Sequence, residues 1–265
     1  MKDRVAIVTG AGSRDDGIGN GRAASILLAR NGARVVLVDM KREWAEKTRE
    51  MIAAEGGAEA IVVVADVTKP GDCEAIVRAA TERWGRLDIL VNNVGIGGPP
   101  GTAVEVDLEA WNKGLLVNVT SMMLMAKYSI PQMMKGGGGS IVNISSVAGM
   151  RGGIGTLLYP TSKGAVINMT RAMAAHHGRD NIRVNCICPG MVYTPMVYVG
   201  GMSEEMREQR RRRSVLQTEG SGWDIGAGVL YLASDDARWV TGIELPIDAG
   251  ATAVTSVPST VGKIA

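Results

Sequence analysis

Seven short apolar runs punctuate the chain, four to seven residues long and mostly rich in β-branched side chains: 4–9, 34–39, 59–65, 88–91, 140–145, 182–187 and 243–247. Runs of this length and composition read as buried strands. Between them lie stretches suited to helices: 21–31, 43–55 (ended by Gly56 and Gly57), 70–84 with Pro70 in its first turn, 158–178 and 223–234. A longer, Met-rich helical region spans 107–134 and is broken by the glycines at 136–139, whereas 189–221 is irregular and only partly helical. Strands alternating with helices at this spacing predict an α/β fold, a parallel sheet of about seven strands with helices on both faces. No linker or internal repeat divides the chain, so residues 1–250 are expected to form one doubly wound domain, followed by a tail at 251–265.

Composition narrows the class. Of 265 residues, 46% are hydrophobic and 21% charged, as in ordinary globular proteins. There is no Phe, so 15 Met share the core with the aliphatic residues. The net charge of +2 gives no general attraction to nucleic acid or an acidic membrane. The basic cluster Arg210–Arg213 is preceded by Glu204, Glu205 and Glu208 and reads as a solvated helix face. No apolar run approaches the ~20 residues of a membrane span, and no apolar leader precedes the first strand, so a cytoplasmic protein is expected. Three cysteines make no disulfide framework. Cys186 and Cys188 read as buried thiols on opposite faces of a strand, and no metal site is expected.

Candidate chemistry collects after the strands, where open α/β sheets bind ligands. Gly10, Asp39, Asp66, Asn92, Ser146 and the Pro189-Gly190 pair all follow apolar runs. The turn from Thr9 to Gly19 is glycine-rich and opens a helix, the setting in which backbone approaches a dinucleotide phosphate. Asp39 stands 20 residues beyond Gly19, placed to accept from an adenosine ribose and to repel a 2′-phosphate. That favours NAD over NADP, although Lys41 and Arg42 offer a phosphate an alternative. Asp66 is read as a partner for the adenine amino group or, structurally, as the cap of the helix beginning near Pro70. Tyr159 and Lys163 are four apart and share a helix face. A phenol beside an ammonium can move a proton on an alcohol or carbonyl oxygen.

Taken together, Thr9-Gly10…Gly17-Ile18-Gly19, Asp66-Val67, Asn92-Asn-Val-Gly95, Asn118-Val119, Ser146, Tyr159-Pro-Thr-Ser-Lys163, Pro189-Gly190 and Leu245-Pro-Ile-Asp248 resemble the short-chain dehydrogenase/reductase family from Arg4 to Gly250. The resemblance implies a Rossmann-type fold and a catalytic set of Asn118, Ser146, Tyr159 and Lys163. Tyr159 would be the general acid/base. Lys163 would bind the nicotinamide ribose and lower the tyrosine pKa, and Ser146, 13 residues before Tyr159, would hold the substrate oxygen. Asn118 would kink the long helix and hold a water. The implied cofactor contacts are Gly10, Ser13, Arg14, Gly17, Ile18 and Gly19 in the turn, Asp39 and Met40, Asp66 and Val67, Asn93 and Gly95, Tyr159 and Lys163, then Pro189, Gly190, Val192 and Thr194.

Two departures stand out. Three extra residues, Arg14-Asp15-Asp16, enlarge the turn, and Val94 replaces the usual Ala. Longer turns also occur in enoyl reductases, whose Tyr and Lys lie further apart, so the spacing here points to alcohol/ketone chemistry. Gly97, Met150, Ile154, Leu157, Met191 and Met196 are candidates for an apolar substrate pocket, with residues 191–221 as a substrate loop and Arg151 read as a surface cation. The expectation is an NAD-dependent dehydrogenase of a hydrophobic secondary alcohol, working as a homotetramer through the Asn118 and Tyr159 helices. The alternatives are an NADPH-dependent ketone reductase and a catalytically silent dinucleotide-binding regulator.

Overall fold

The structure is a computed structural model and describes residues 1–14 and 16–255. Asp15 of the enlarged turn and residues 256–265 of the expected tail lie outside the described residues. The apolar runs form strands β1 (Val5–Thr9), β2 (Arg34–Asp39), β3 (Ala60–Val64), β4 (Ile89–Asn92), β5 (Gly139–Ile144), β6 (Ile182–Pro189) and β7 (Glu244–Ile247). They make one sheet in the order β3-β2-β1-β4-β5-β6-β7. Every neighbouring pair is parallel.

A strand's side chains alternate between faces. Ala6 and Val8 therefore join one core cluster, and Val5 and Ile7 the other. On the first face lie α1 (Asn20–Arg30), α2 (Arg42–Ala54) and α9 (Gly222–Ala233). Helices α1 and α9 pack closely because Gly226 has no side chain: a Cβ there would stand 3.0 Å from Ala23 backbone. On the second face lie α3 (Pro70–Trp84), α5 (Ser121–Lys135) and α6 (Leu158–His177). Each fully buried aliphatic side chain on either face, such as Ile7 or Leu90, contributes roughly 2 kcal/mol by leaving water.

The long helical region 107–134 is in fact three pieces. Asp107 caps α4 (Leu108–Leu115) by accepting from the Ala110 N–H, a π turn covers Leu116–Thr120, and α5 follows. The π turn centres on Asn118, which is fully buried. Its amide exchanges two hydrogen bonds with the Ile96 backbone and donates to Ser162 Oγ, so the local backbone turns to bring it there. Met122, Met125 and Met133 face the core, and only Met123 and Met134 of that Met-rich stretch are exposed. An interface built on those methionines thus has two of them available. No helix among the described residues is long and apolar enough to cross a membrane.

The chain leaves β1 towards β2 and β3, then returns to place β4 on the other side of β1. This reversal opens a crevice beyond the carboxyl ends of β1 and β4, the ligand position in sheets of this topology. Asn93, just past β4, closes its floor by donating to the Thr9 and Gly10 carbonyls at 3.2 and 3.1 Å.

Candidate active site

Two strand ends and one helix build the phosphate side. Gly10 turns the chain with φ +62°, and Gly21 lets α1 begin directly beneath it: a Cβ on Gly21 would stand 2.0 Å from the Gly10 carbonyl oxygen. Gly19 N-caps α1 with no side-chain hydrogen bond, leaving the helix N-terminus to an anion. Gly12 donates its N–H to Asp39 Oδ2 at 3.0 Å, and Lys41 N–H reaches Oδ1 at 3.0 Å. Burial raises the Asp39 pKa, and these backbone donors oppose the rise. A dinucleotide fits this cradle, with glycine wherever a side chain would fill it and a carboxylate at the ribose end. Of the basic neighbours, Arg42 is paired with Glu46 at 3.6 Å.

The enlarged turn is organised by a residue that the sequence reading passed over. Arg22, on the first turn of α1, is fully buried. Its guanidinium donates to the Gly17 carbonyl at 2.6 Å, the Ser13 carbonyl at 3.0 Å, the Trp44 carbonyl at 3.2 Å and Thr48 Oγ1 at 3.0 Å. Thr48 in turn donates to the Ala11 carbonyl at 2.8 Å. One planar fork thereby ties both ends of the insertion to α2, a geometry lysine could not reproduce. Burial lowers its pKa, with Asp16 and Asp39 opposing. Outside the turn Asp16 pairs with Lys47 at 3.3 Å, and Arg14 lies over the Trp44 ring. Asp16 is therefore turned to solvent and to α2.

Ser146, Tyr159 and Lys163 converge past β5. Ser146 stands near enough to Tyr159 to draw its pKa down, and its Oγ accepts from Ala148 N–H at 3.1 Å. Lys163 is buried, its Nζ 5.7 Å from the Tyr159 ring centroid and donating to the Ile144 carbonyl at 2.9 Å. Burial draws its pKa down to about 8. A Cβ on Gly95 would come within 3.1 Å of Nζ, so glycine leaves room for the ammonium. The resemblance implied that Lys163 lowers the Tyr159 pKa. Here burial raises the Tyr159 pKa and Ser146 opposes the rise, while the Lys163 ammonium is bonded to the Ile144 carbonyl.

The 191–221 region covers the crevice. It carries α7 (Pro195–Tyr198) and α8 (Glu204–Arg211). A Cβ on Gly17 would stand 2.3 Å from the Tyr198 hydroxyl and 2.4 Å from the Pro195 ring, so this loop rests on the glycine turn. Tyr198 stacks on Tyr193 at 4.7 Å, and the Arg207 guanidinium lies 4.0 Å from the Tyr193 ring centroid. Arg207 and Arg210 bond Glu219 at 3.0 and 2.7 Å. Glu219 is only 5% exposed at its side chain. The basic cluster is thus not simply a solvated face: Arg210 turns inward, while Arg211 and Arg212 pair with Glu208 at the surface. Arg210 also donates to the Val192 carbonyl at 3.0 Å, so that oxygen has a partner within the protein. Thr194 is buried just before α7. Gly190 is required where it stands, since a Cβ would meet the Asp248 backbone at 2.6 Å.

Other expectations are corrected. Cys186 and Cys188 lie on the same face, as a two-residue strand period requires, and belong to one buried cluster. Asp66 does not cap α3: its carboxylate accepts from Thr68 at 3.0 and 2.7 Å, and Lys69 takes the N-cap position. Val94 packs on the core beside Gly10, and Val67 is buried, whereas Met40 is exposed. Ile154 and Met191 line a cavity of about 420 Å³ beside the Ser146 segment. Met150 packs instead on the Cys186–Cys188 cluster. Leu157 and Met196 are exposed, and Gly97 meets nothing within 4 Å. Arg151 is exposed, as expected, and stands at the rim of this cavity.

A crevice at the switch point of the sheet, a glycine turn and a Ser–Tyr–Lys group with a buried lysine are the marks of a nicotinamide-dependent oxidoreductase. A family model described as enoyl-(acyl carrier protein) reductase matches residues 12–252. The chain is 35% identical to the meso-2,3-butanediol dehydrogenase of Serratia marcescens, over 98% of each protein. Among solved structures it superposes on levodione reductase with a TM-score of 0.90, at 34% identity and covering 96% of this chain and 99% of that one. It also superposes on a 7α-hydroxysteroid dehydrogenase complexed with NADH and 7-oxo glycochenodeoxycholic acid, with a TM-score of 0.86, 32% identity and 94% coverage of both. The chain belongs to the short-chain dehydrogenase/reductase family.

Proposed function

We propose that this protein is an NAD-dependent dehydrogenase that interconverts a secondary alcohol and its ketone. The observation carrying the reading is the convergence of Ser146, the Tyr159 phenol and the buried Lys163 ammonium, whose Nζ lies 5.7 Å from the Tyr159 ring centroid. Bound nicotinamide supplies the hydride acceptor or donor. The chain's own residues supply the proton path. In oxidation, Tyr159 in its ionised form removes the hydroxyl proton, Ser146 holds the same oxygen, and Lys163 provides a positive field. Asn118, anchored to Ile96 and Ser162, positions the helix register that carries Tyr159 and Lys163. In reduction, the phenol returns the proton to the ketone oxygen.

NAD is favoured by Asp39, whose carboxylate at the ribose end would repel a 2′-phosphate. The family model's enoyl-reductase description does not change the chemistry inferred: the four-residue Tyr159–Lys163 spacing suits a carbonyl oxygen rather than an enoyl carbon. Exposed Met123 and Met134 on α5 suit the tetramer interface. An activity screen over aliphatic, cyclic and aromatic secondary alcohols, with NAD⁺ and NADP⁺ in parallel, tests the reading. Turnover with NAD⁺ supports it. Preference for NADP⁺ transfers the assignment to the phosphate-dependent enzyme. Tight NADH binding with no turnover of any alcohol or ketone supports a silent regulator instead.

A further inference from the structure

The cavity of about 420 Å³ shares a wall with the catalytic group: it is lined by Val147 and Ala148, and the Ala148 N–H bonds Ser146 Oγ. Its apolar side includes Ile154, Met191 and Val254. Its rim carries three guanidinium groups, Arg151, Arg212 and Arg213, and no carboxylate residue among the described lining. The three differ in how they are held. Arg212 is bonded to Glu208 at 2.9 Å. Arg151, exposed at the rim, donates to the carbonyl of Ala251, another lining residue, at 2.9 Å, and among the described residues its other donors bond no protein group. Among the described residues Arg213 is in no ion pair. Elsewhere on this loop the arginines are matched with acids: Arg207 and Arg210 with Glu219, and Arg211 with Glu204 and Glu208. Among the described arginines of this loop, the one without an acid partner thus stands at the rim of this cavity, together with Arg151. Arginine presents a fork that suits carboxylate, sulfonate or phosphate oxygens.

Resting on the dehydrogenase reading, we infer that the substrate is anionic: a secondary alcohol or ketone whose carbon frame lies on the Ile154–Met191 wall and whose distal acid group is held by Arg151 and Arg213. The volume suits a small to medium organic acid. A neutral alcohol would leave both guanidiniums without an acid partner, so the site discriminates by charge as well as shape.

Calorimetric titration of the enzyme–NADH complex with 4-oxopentanoate, 4-oxocyclohexanecarboxylate and 7-oxooctanoate, each beside its methyl ester, reads this site directly. We expect at least one acid to bind about tenfold or more tightly than its ester. The double variant Arg151→Gln/Arg213→Gln should erase that gap, and Arg213→Lys should keep part of it. Unfolding temperature and NADH affinity of each variant report whether the fold is kept. Acids and esters binding alike, no acid binding, or a gap that survives in the folded double variant overturns the inference. Because the readout is binding, the two readings fail separately. Tight acid binding without reduction would count against the dehydrogenase, whereas reduction of esters with no preference for acids would count against the anion site.

Discussion

Replacing Arg22 with methionine keeps most of the side chain's length and removes its guanidinium. Four donors are lost from the Ser13, Gly17 and Trp44 carbonyls and Thr48 Oγ1. Hydrogen bonds from a charged donor contribute about 1.5–3 kcal/mol each, but methionine also removes the cost of burying the charge, and turn carbonyls near the surface recover some water. A net loss of about 2–4 kcal/mol follows, and at roughly 2–4 °C per kcal/mol for a chain of this size Tm should fall by roughly 5–15 °C. Arg22 also fixes the turn whose Gly12 N–H holds Asp39, so NADH affinity should fall at least about tenfold, or about 1.4 kcal/mol. Circular dichroism on heating and NADH fluorescence titration measure both. A Tm within about 2 °C of the parent together with NADH affinity within about twofold would refute the reasoning, because the turn would then hold its shape without the fork.

The pH profile offers a second test. Ser146 lowers the Tyr159 pKa, so Ser146→Ala should move the rise of alcohol oxidation to higher pH and cut the rate near pH 8 by about 100-fold; an unmoved profile counts against that role. Asp39→Ser should reduce the preference for NADH over NADPH at least about tenfold in paired titrations, since like charges a few ångströms apart repel by a few kcal/mol near a surface. Lys163 has a folded pKa of about 8, below its unfolded value. The unfolded chain therefore binds more protons between about pH 8 and 10.4, and this lysine's destabilising contribution fades as pH rises through that window. Lys163→Met, though inactive, should be about 1–3 kcal/mol more stable at pH 7 by urea unfolding and should lack that alkaline gain.

Much of the fold was legible because both sheet faces are covered: strands such as β1 and β2 are continuous apolar runs that no exposed face interrupts. The glycine turn and the Tyr159–Lys163 pair were legible for another reason, local spacing between elements already placed. Features that depend on tertiary partners were not. The π turn at Asn118 arises from bonds to Ile96 and Ser162, 22 and 44 residues away. Arg22 reads in sequence as one more arginine on a helix; the clue lay in its place beside an enlarged turn, with Ala23 and Ala24 marking that stretch of α1 as buried. Arg210 looked solvated because its neighbours in sequence are acidic, yet its partner is Glu219, nine residues on. Cys186 and Cys188 needed no tertiary information: the two-residue strand period puts them on one face.

The central claim is that the Tyr159 phenol moves the proton at the substrate oxygen. Tyr159→Phe removes one hydroxyl from a buried site and leaves the glycine turn, Asp39 and Lys163 in place. Steady-state turnover and NADH titration of this variant, using whichever alcohol the parent oxidises, decide the matter. The account predicts a fall in kcat of about 1,000-fold or more with NADH affinity within about threefold of the parent. Turnover at the parent rate would contradict it.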